Sequence, residues 1–334
     1  MKLSSLFASH MVFAANKPIR VFGEGQGRVC IRFAGLAAET VSEGKNWLLE
    51  LPPLPAGGPY EMEIDLDGTS IVLQDVRIGA VYLFAGQSNM QFKMKESATA
   101  REEYRGDERL RMFVSHRVTE DERFTPADGW IVAAEDNVSD WSAIGYLTAS
   151  RLVRDGEAVG VVGCYQGASV IESWMPEGTC QKLGIEIADE DKHIDHFKVP
   201  FADWNGEGVL FDKTLSPLFP FSFSGVVWYQ GESNATPAEG AVYLKMLAAL
   251  IDIWRERFMD AELPFVVVQI ADCLSRRGEG WSRVQQAQLE IADVQSGVVT
   301  VISKDVCEND NIHPPTKDKL SRRIAAVLQR SYGR

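Results

Sequence analysis

The sequence is short of the features that would place it in several functional classes. Its 334 residues include five cysteines (Cys30, Cys164, Cys180, Cys273 and Cys307), scattered and without a C-x-x-C pair. That spacing offers neither a disulfide framework nor a thiolate zinc site, and it points to reduced thiols in a cytoplasmic setting. No apolar run approaches the roughly 20 residues needed to cross a bilayer. Positive charge is in deficit, with 34 Lys and Arg against 47 Asp and Glu and a net charge of −13. A nucleic acid or an anionic membrane is a poor partner for such a surface. Internal repeats and low-complexity segments are missing too. Histidine is scarce: His10, His116, His193, His196 and His313 are the full set.

The rest of the composition, 45% hydrophobic and 24% charged, is that of an ordinary globular chain long enough for an extensive core. Met1 to Ala15 carries a lysine, an apolar middle and a small-residue end. Ser4, Ser5, Ser9 and His10 interrupt it, which argues against a signal peptide. From Leu3 to about Val76 short extended runs (18–23, 28–33, 47–51, 60–64) alternate with Gly- and Pro-rich turns. This spacing predicts a small all-β sandwich over 1–76 with no collection of catalytic side chains. From Ile78 onward strands alternate with helices. Strands are expected at 80–85, 159–164, 225–229, 265–270 and 298–302, and helical periodicity runs over 142–154, 241–258, 283–292 and 317–329. Most of these strands are nearly all apolar, as expected for a parallel sheet buried on both faces, so 77–334 reads as one α/β domain. Within it, 178–213 is an irregular, acidic surface excursion near the site edge.

Chemistry concentrates where predicted strands end, which is where α/β sheets bind ligands. Val81 to Ala85 stops at Gly86-Gln87-Ser88-Asn89-Met90. Gly86 permits a tight turn, and a helix starting after Ser88 leaves N–H groups free for an anion. Ser88 alone reads more readily as an N-cap than as a nucleophile. Gly167, past the strand 159–164, can bring its N–H close to a ligand, or can be a plain turn glycine. Gln230-Gly231-Glu232-Ser233-Asn234 crowds two amides, a carboxylate and a hydroxyl into one turn, where amides can donate to an oxyanion and Glu232 can orient its neighbours. Asp310-Asn311-Ile312-His313 puts an imidazole at the same edge with a carboxylate three residues earlier. A serine nucleophile needs a neutral imidazole, and that imidazole needs a partner to fix its tautomer. Asp310 is the expected partner, with Asp305 and Glu308 as local competitors. His193 and His196 form an H-x-x-H among acidic residues, which reads as a solvated loop, so no metal and no cofactor is assigned.

Together these stretches resemble the SGNH-hydrolase superfamily, and within it the sialate O-acetylesterase and acetylxylan esterase-like branch. Gly86–Met90 looks like the nucleophile block, and Gly167 with Ile171-Glu172-Ser173-Trp174 the glycine block, although Tyr165-Gln166-Gly167-Ala168 departs from its W-G-G-T form. Trp228–Asn234 and Asp310–Pro314 resemble the third and fourth blocks, and Leu6–Val12 the opening of the branch's β-domain. The resemblance implies a three-layer α/β/α, flavodoxin-like domain with a parallel sheet. It implies ester hydrolysis through an acetyl-enzyme, with Ser88 as nucleophile, His313 as base and Asp310 orienting it. The oxyanion would be held by the N–H groups of Ser88 and Gly167 and by an amide from Gln230 or Asn234, of which Gln230 lies closer to the strand end. Gln87, Asn89, Glu232 and Trp174 are expected to support this site or face the substrate.

The implied substrate is an O-acetylated sugar, of the sialic acid or xylo-oligosaccharide type. Arg151, Lys182, Arg276 and Arg277 are candidate clamps for a sugar carboxylate. The oligomeric state stays open, including a homo-oligomer. The competing readings are a catalytically silent carbohydrate-binding protein on the same fold and an esterase or lipase for other acyl chains.

Overall fold

The computed structural model describes residues 2–115, 129–153 and 157–332. His116, named above, and the last residue of the stretch 142–154 lie outside the described residues. The chain begins with strands β1 (Lys2–Leu3), β2 (Val12–Ala14), β3 (Ile19–Glu24), β4 (Gly27–Phe33), β5 (Leu36–Ser42), β6 (Asn46–Leu51), β7 (Gly57–Leu66) and β8 (Thr69–Gly86). In β4 and β6 buried and more exposed positions alternate, the mark of strands with one covered face. β1, β3 and β6 form a separate antiparallel sheet, while β4 pairs with β5 and β7.

β8 is the axis of the molecule. Its 18 residues run antiparallel to β7 from Thr69 to Val76, then parallel to the strands of the central sheet from Gly79 to Gly86. The boundary expected between 76 and 77 therefore falls inside a continuous strand. The change of texture there is real: positions before Ile78 alternate in burial, whereas Val81 to Gly86 are all buried. It records a strand passing from a one-sided to a two-sided environment, and the backbone does not break.

The remaining strands are β9 (Asp107–Val114), β10 (Ile131–Ala133), β11 (Ala158–Tyr165), β12 (Gly225–Tyr229), β13 (Phe265–Val268) and β14 (Val298–Val301). They join β8 in the order β10-β9-β11-β8-β12-β13-β14, with β10 antiparallel at one edge. The result is a mixed α/β fold around one large mixed sheet, into which β2, β4, β5 and β7 are also hydrogen-bonded through β8. β9 was not anticipated because Arg109 and Arg111 interrupt its apolar pattern. Arg111 is 1% exposed and donates to the carbonyls of His10 and Asp75 and to the Asp75 carboxylate.

The helices are α1 (Ser88–Gln91), α2 (Ala143–Leu152), α3 (Thr179–Lys182), α4 (Ala202–Asn205), α5 (Pro237–Arg257), α6 (Glu279–Val294) and α7 (Asp318–Tyr332). Local chemistry sets their starts. The Ser142 hydroxyl accepts from the Gly145 N–H ahead of α2, and Thr236 and Glu239 form a reciprocal capping box around Pro237 at the start of α5. α2 packs against α7, and α5 against α6. Between α3 and β12 the excursion consists of short helical turns, in keeping with its irregular composition.

Candidate active site

At the end of β8 the chain turns within one residue. Gly86 has φ of 142°, and a Cβ there would sit 2.0 Å from the Tyr229 carbonyl oxygen. Only glycine permits this approach of β8 to β12. Gln87 follows as the N-cap of α1 without a side-chain cap bond, and Ser88 is the first helical residue. The N-cap reading of Ser88 is thereby corrected: its hydroxyl lies 2.8 Å from His313 Nε2 instead. α1 is a single turn of four residues, too short to provide the helix-dipole anion site expected from the sequence.

His313 arrives from the loop between β14 and α7, and Asn89 fixes its position. Asn89 Nδ2 donates to the carbonyl of Ile312 at 2.9 Å and to Glu232 Oε1 at 2.6 Å, while its Oδ1 accepts from Lys317 Nζ at 2.7 Å. One buried amide beside the nucleophile thus holds the residue before the imidazole, a carboxylate and an ammonium. Gln87 does similar work on the other side, where its Oε1 accepts from the N–H groups of Gly231 and Ser233. Gln87, Asn89 and Glu232, expected near the site, take part in these contacts.

Electrostatics favour a neutral imidazole. Burial lowers the pKa of His313 below its ordinary value, the charge of Lys317 lowers it further, and Glu96 opposes them. Lys317 is fully buried and pushed down to about 8 by desolvation. Its ammonium also lies 4.8 Å from the centre of the Phe92 ring. Burial raises the pKa of Glu232, an effect that the Asn89 hydrogen bond and Lys317 partly offset. The tautomer with hydrogen on Nδ1 leaves Nε2 free to accept the Ser88 proton.

Three expectations fail. Asp310 is exposed and makes no hydrogen bond or ion pair with His313 among the described residues; the side chain that reaches back to this loop is Asn311, accepting from the His313 N–H at 2.9 Å. The competitors are engaged elsewhere, Asp305 with Arg323 and Glu308 with Thr316. Spacing on a loop does not dictate which way a short carboxylate points. Gln230 and Asn234 are both 0% exposed and consumed internally. Gln230 Nε2 donates to the Ser169 carbonyl and to Asn234 Oδ1, its Oε1 accepts from Tyr243, and Asn234 Nδ2 donates to Glu172. They brace the turn after β12, with both Gln230 Nε2 hydrogens used and both side chains fully buried. Trp174 is also fully buried; it donates to the Ser169 hydroxyl and packs edge-on against Trp228 and Trp254, so it supports the core and does not face substrate.

Gly167 does lie at the site. A Cβ on it would come 3.7 Å from Ser88 Cβ, and its N–H donates to Gln91 Oε1 at 2.8 Å. Sequence reasoning passed over Gln91 and Lys317. Gln91 was legible in principle, since it stands three residues after Ser88, one helical turn away on the same face. Lys317 carried no such signal, because a lysine at the start of an amphipathic helix normally faces solvent. Elsewhere, His193 bonds to Arg276 while His196 bonds to the Ser233 carbonyl. The candidate clamp Arg151 is taken up by Asp318.

A hydroxyl bonded to a neutral imidazole, beside a glycine N–H at a sheet's carboxyl edge, can carry out acyl transfer. The comparisons with known proteins agree with that chemistry. Human sialate O-acetylesterase is 25% identical over 319 residues, covering 84% of this chain and 59% of the human protein. The mouse sialate O-acetylesterase is 25% identical over 342 residues, covering 85% of this chain and 63% of its own length. The chain thus spans about three fifths of these relatives. The crystal structure of a carbohydrate acetylesterase from Xanthomonas citri superposes with a TM-score of 0.84 at 28% identity, covering 100% of this chain and 76% of that one. A protein from Arabidopsis thaliana shares the fold, with a TM-score of 0.51 at 17% identity over 76% of this chain and 98% of its own. The family model described as carbohydrate esterase, sialic acid-specific acetylesterase matches residues 78–330, from the middle of β8 to the last turns of α7. The chain belongs to that carbohydrate esterase family.

Proposed function

We propose that the protein is a serine carbohydrate esterase that removes O-acetyl groups from sugars. The observation that carries this reading is the 2.8 Å contact between Ser88 Oγ and His313 Nε2 at the end of β8. Ser88 Oγ bonds to the acetyl carbonyl carbon as His313 Nε2 takes the hydroxyl proton. The tetrahedral intermediate then expels the sugar oxygen, which leaves with that proton from His313. Water, deprotonated by the same imidazole, attacks the acetyl-Ser88 ester, and acetate is released as Ser88 Oγ leaves with that proton from His313. With no carboxylate on Nδ1 among the described residues, the pair works as a dyad whose imidazole is placed by Asn89 and the Ile312 carbonyl.

The names of the curated relatives and the Xanthomonas protein support an O-acetylated sugar as substrate, with sialic acids and xylo-oligosaccharides as the two classes to compare. The intact Ser88–His313 contact weighs against a silent binding protein. The same reading takes the helix pairs α2–α7 and α5–α6 as the outer layers of a three-layer domain, and the strands before β8 as an accessory β-sandwich. A cytoplasmic setting belongs with it, supported by five cysteines that are all free.

Mass spectrometry of protein quenched during turnover of an acetylated sugar tests the mechanism. An acetyl group on the peptide containing Ser88 is the expected result. Turnover with the acetyl group on another residue, or on none, would remove Ser88 as nucleophile.

A further inference from the structure

The two amides expected to complete the oxyanion hole are locked in the core, which leaves the donor set short by one. The esterase reading assigns two backbone N–H groups, those of Ser88 and Gly167, to the oxygen. Gln91 is a carboxamide at this spot. It projects from α1 one turn beyond Ser88, is only half-buried, and its Oε1 accepts from the Gly167 N–H at 2.8 Å. A carbonyl oxygen 2.8 Å from that N–H occupies the kind of position an acyl oxygen must take to use it.

We propose that Gln91 is the side-chain donor of the oxyanion hole, held in this structure in an accepting pose on Gly167. When an acyl group binds, its carbonyl oxygen replaces Gln91 Oε1 on the Gly167 N–H. A half-turn about the last side-chain torsion of Gln91, with the side chain drawn back by about a hydrogen-bond length, then directs Nε2 at that oxygen. The exchange conserves hydrogen bonds: Gly167 keeps an acceptor, and Gln91 trades an accepting for a donating role. The donated bond strengthens as negative charge develops, so its effect falls on the transition state more than on substrate binding. The torsion involved, between sp³ and sp² carbons, has broad minima and turns readily. Partial exposure gives the group room to do so.

This inference rests on the esterase reading, and the experiment separates the two. Acetate release from an acetylated sugar is measured for wild type and for Gln91→Leu, Gln91→Glu and Ser88→Ala. Gln91→Leu is expected to lower kcat about 100- to 1,000-fold, the range for removing one oxyanion donor, with KM changed less than about threefold. Gln91→Glu keeps an acceptor for the Gly167 N–H but cannot donate, and it repels an oxyanion. It is expected to lose at least as much as the leucine variant. If Gln91 served only to clip the Gly167 loop, Gln91→Glu would retain activity, and that result overturns the proposal. An unchanged or raised kcat in Gln91→Leu overturns it too, because the amide would then be a bystander or an obstruction. Ser88-dependent release with active Gln91 variants sinks this inference alone, whereas no Ser88-dependent release removes the esterase reading and Gln91's role with it. Both Gln91 variants change a half-exposed side chain on a single helical turn, and matched thermal melts confirm that each compares folded protein with folded protein.

Discussion

At the scale of single residues, the site depends on an imidazole that stays neutral and on what holds it so. Burial and Lys317 both disfavour the imidazolium, which places the acid limb of kcat/KM below the ordinary histidine value of about 6.5. Lys317→Met removes the nearby positive charge, so the His313 pKa rises and the acid limb moves to higher pH. A rate profile of the variant measured from pH 4 to 9 checks this, and a limb that stays in place or moves down would exclude Lys317 as its cause. Lys317 itself has a stability signature. Its folded pKa of about 8 lies below its ordinary 10.5, so between those values the unfolded chain binds more protons and stability rises with pH. Relative to Lys317→Met, wild type should gain roughly 2–4 kcal/mol across that window in urea melts. A constant difference between the two proteins would contradict a buried, pKa-shifted lysine. Asp310→Asn, by contrast, should cost less than about tenfold in kcat, while His313→Ala loses orders of magnitude. A comparable loss in Asp310→Asn would mean that the loop closes its carboxylate onto Nδ1 when substrate binds. Ser88, Gly167 and His313 were legible because glycine, hydroxyl and imidazole stood at strand ends. Lys317 was not, since burial of a charge depends on contacts far apart in the chain.

At the scale of elements, the turn from β8 into α1 is the piece that cannot be altered. Gly86→Ala would drive a Cβ into the Tyr229 carbonyl at a backbone conformation that alanine rarely adopts. A loss of at least about 3 kcal/mol is expected, because neither strand can move without opening the sheet. A thermal melt within a few degrees of wild type would show that β8 and β12 can separate. Apart from β9, the parallel strands were readable from their apolar runs, and α5 from its periodicity over 241–258, which left out its first turn at Pro237, since those signals are local. The amides after β12 were misread because their partners come from elsewhere: Ser169 follows β11 and Tyr243 lies on α5. Composition shows that a turn is polar, whereas tertiary packing decides whether its polar groups face inward or toward a ligand.

Across the whole molecule, the shared strand β8 ties the N-terminal strands to the sheet that carries the site. Arg111, reaching from β9 to His10 and Asp75, is a second tie. Arg111→Met leaves those acceptors without their buried donor and should destabilise the protein by about 3–5 kcal/mol. Its unfolding should remain a single transition, because no break in the backbone separates the two regions. Two resolved transitions would show that the N-terminal strands unfold as an independent domain. A texture change along one strand was what the sequence offered here, and it reads the same as a domain boundary. The central claim, hydrolysis of sugar acetates through Ser88, is tested most directly by acetate release from O-acetylated sialic acid and acetylated xylo-oligosaccharides. Wild type and Ser88→Ala are compared at equal folded concentration. The account predicts release from at least one of these sugars by wild type and none above background by the variant. Equal release by both proteins, or none from any sugar by folded wild type, would contradict it.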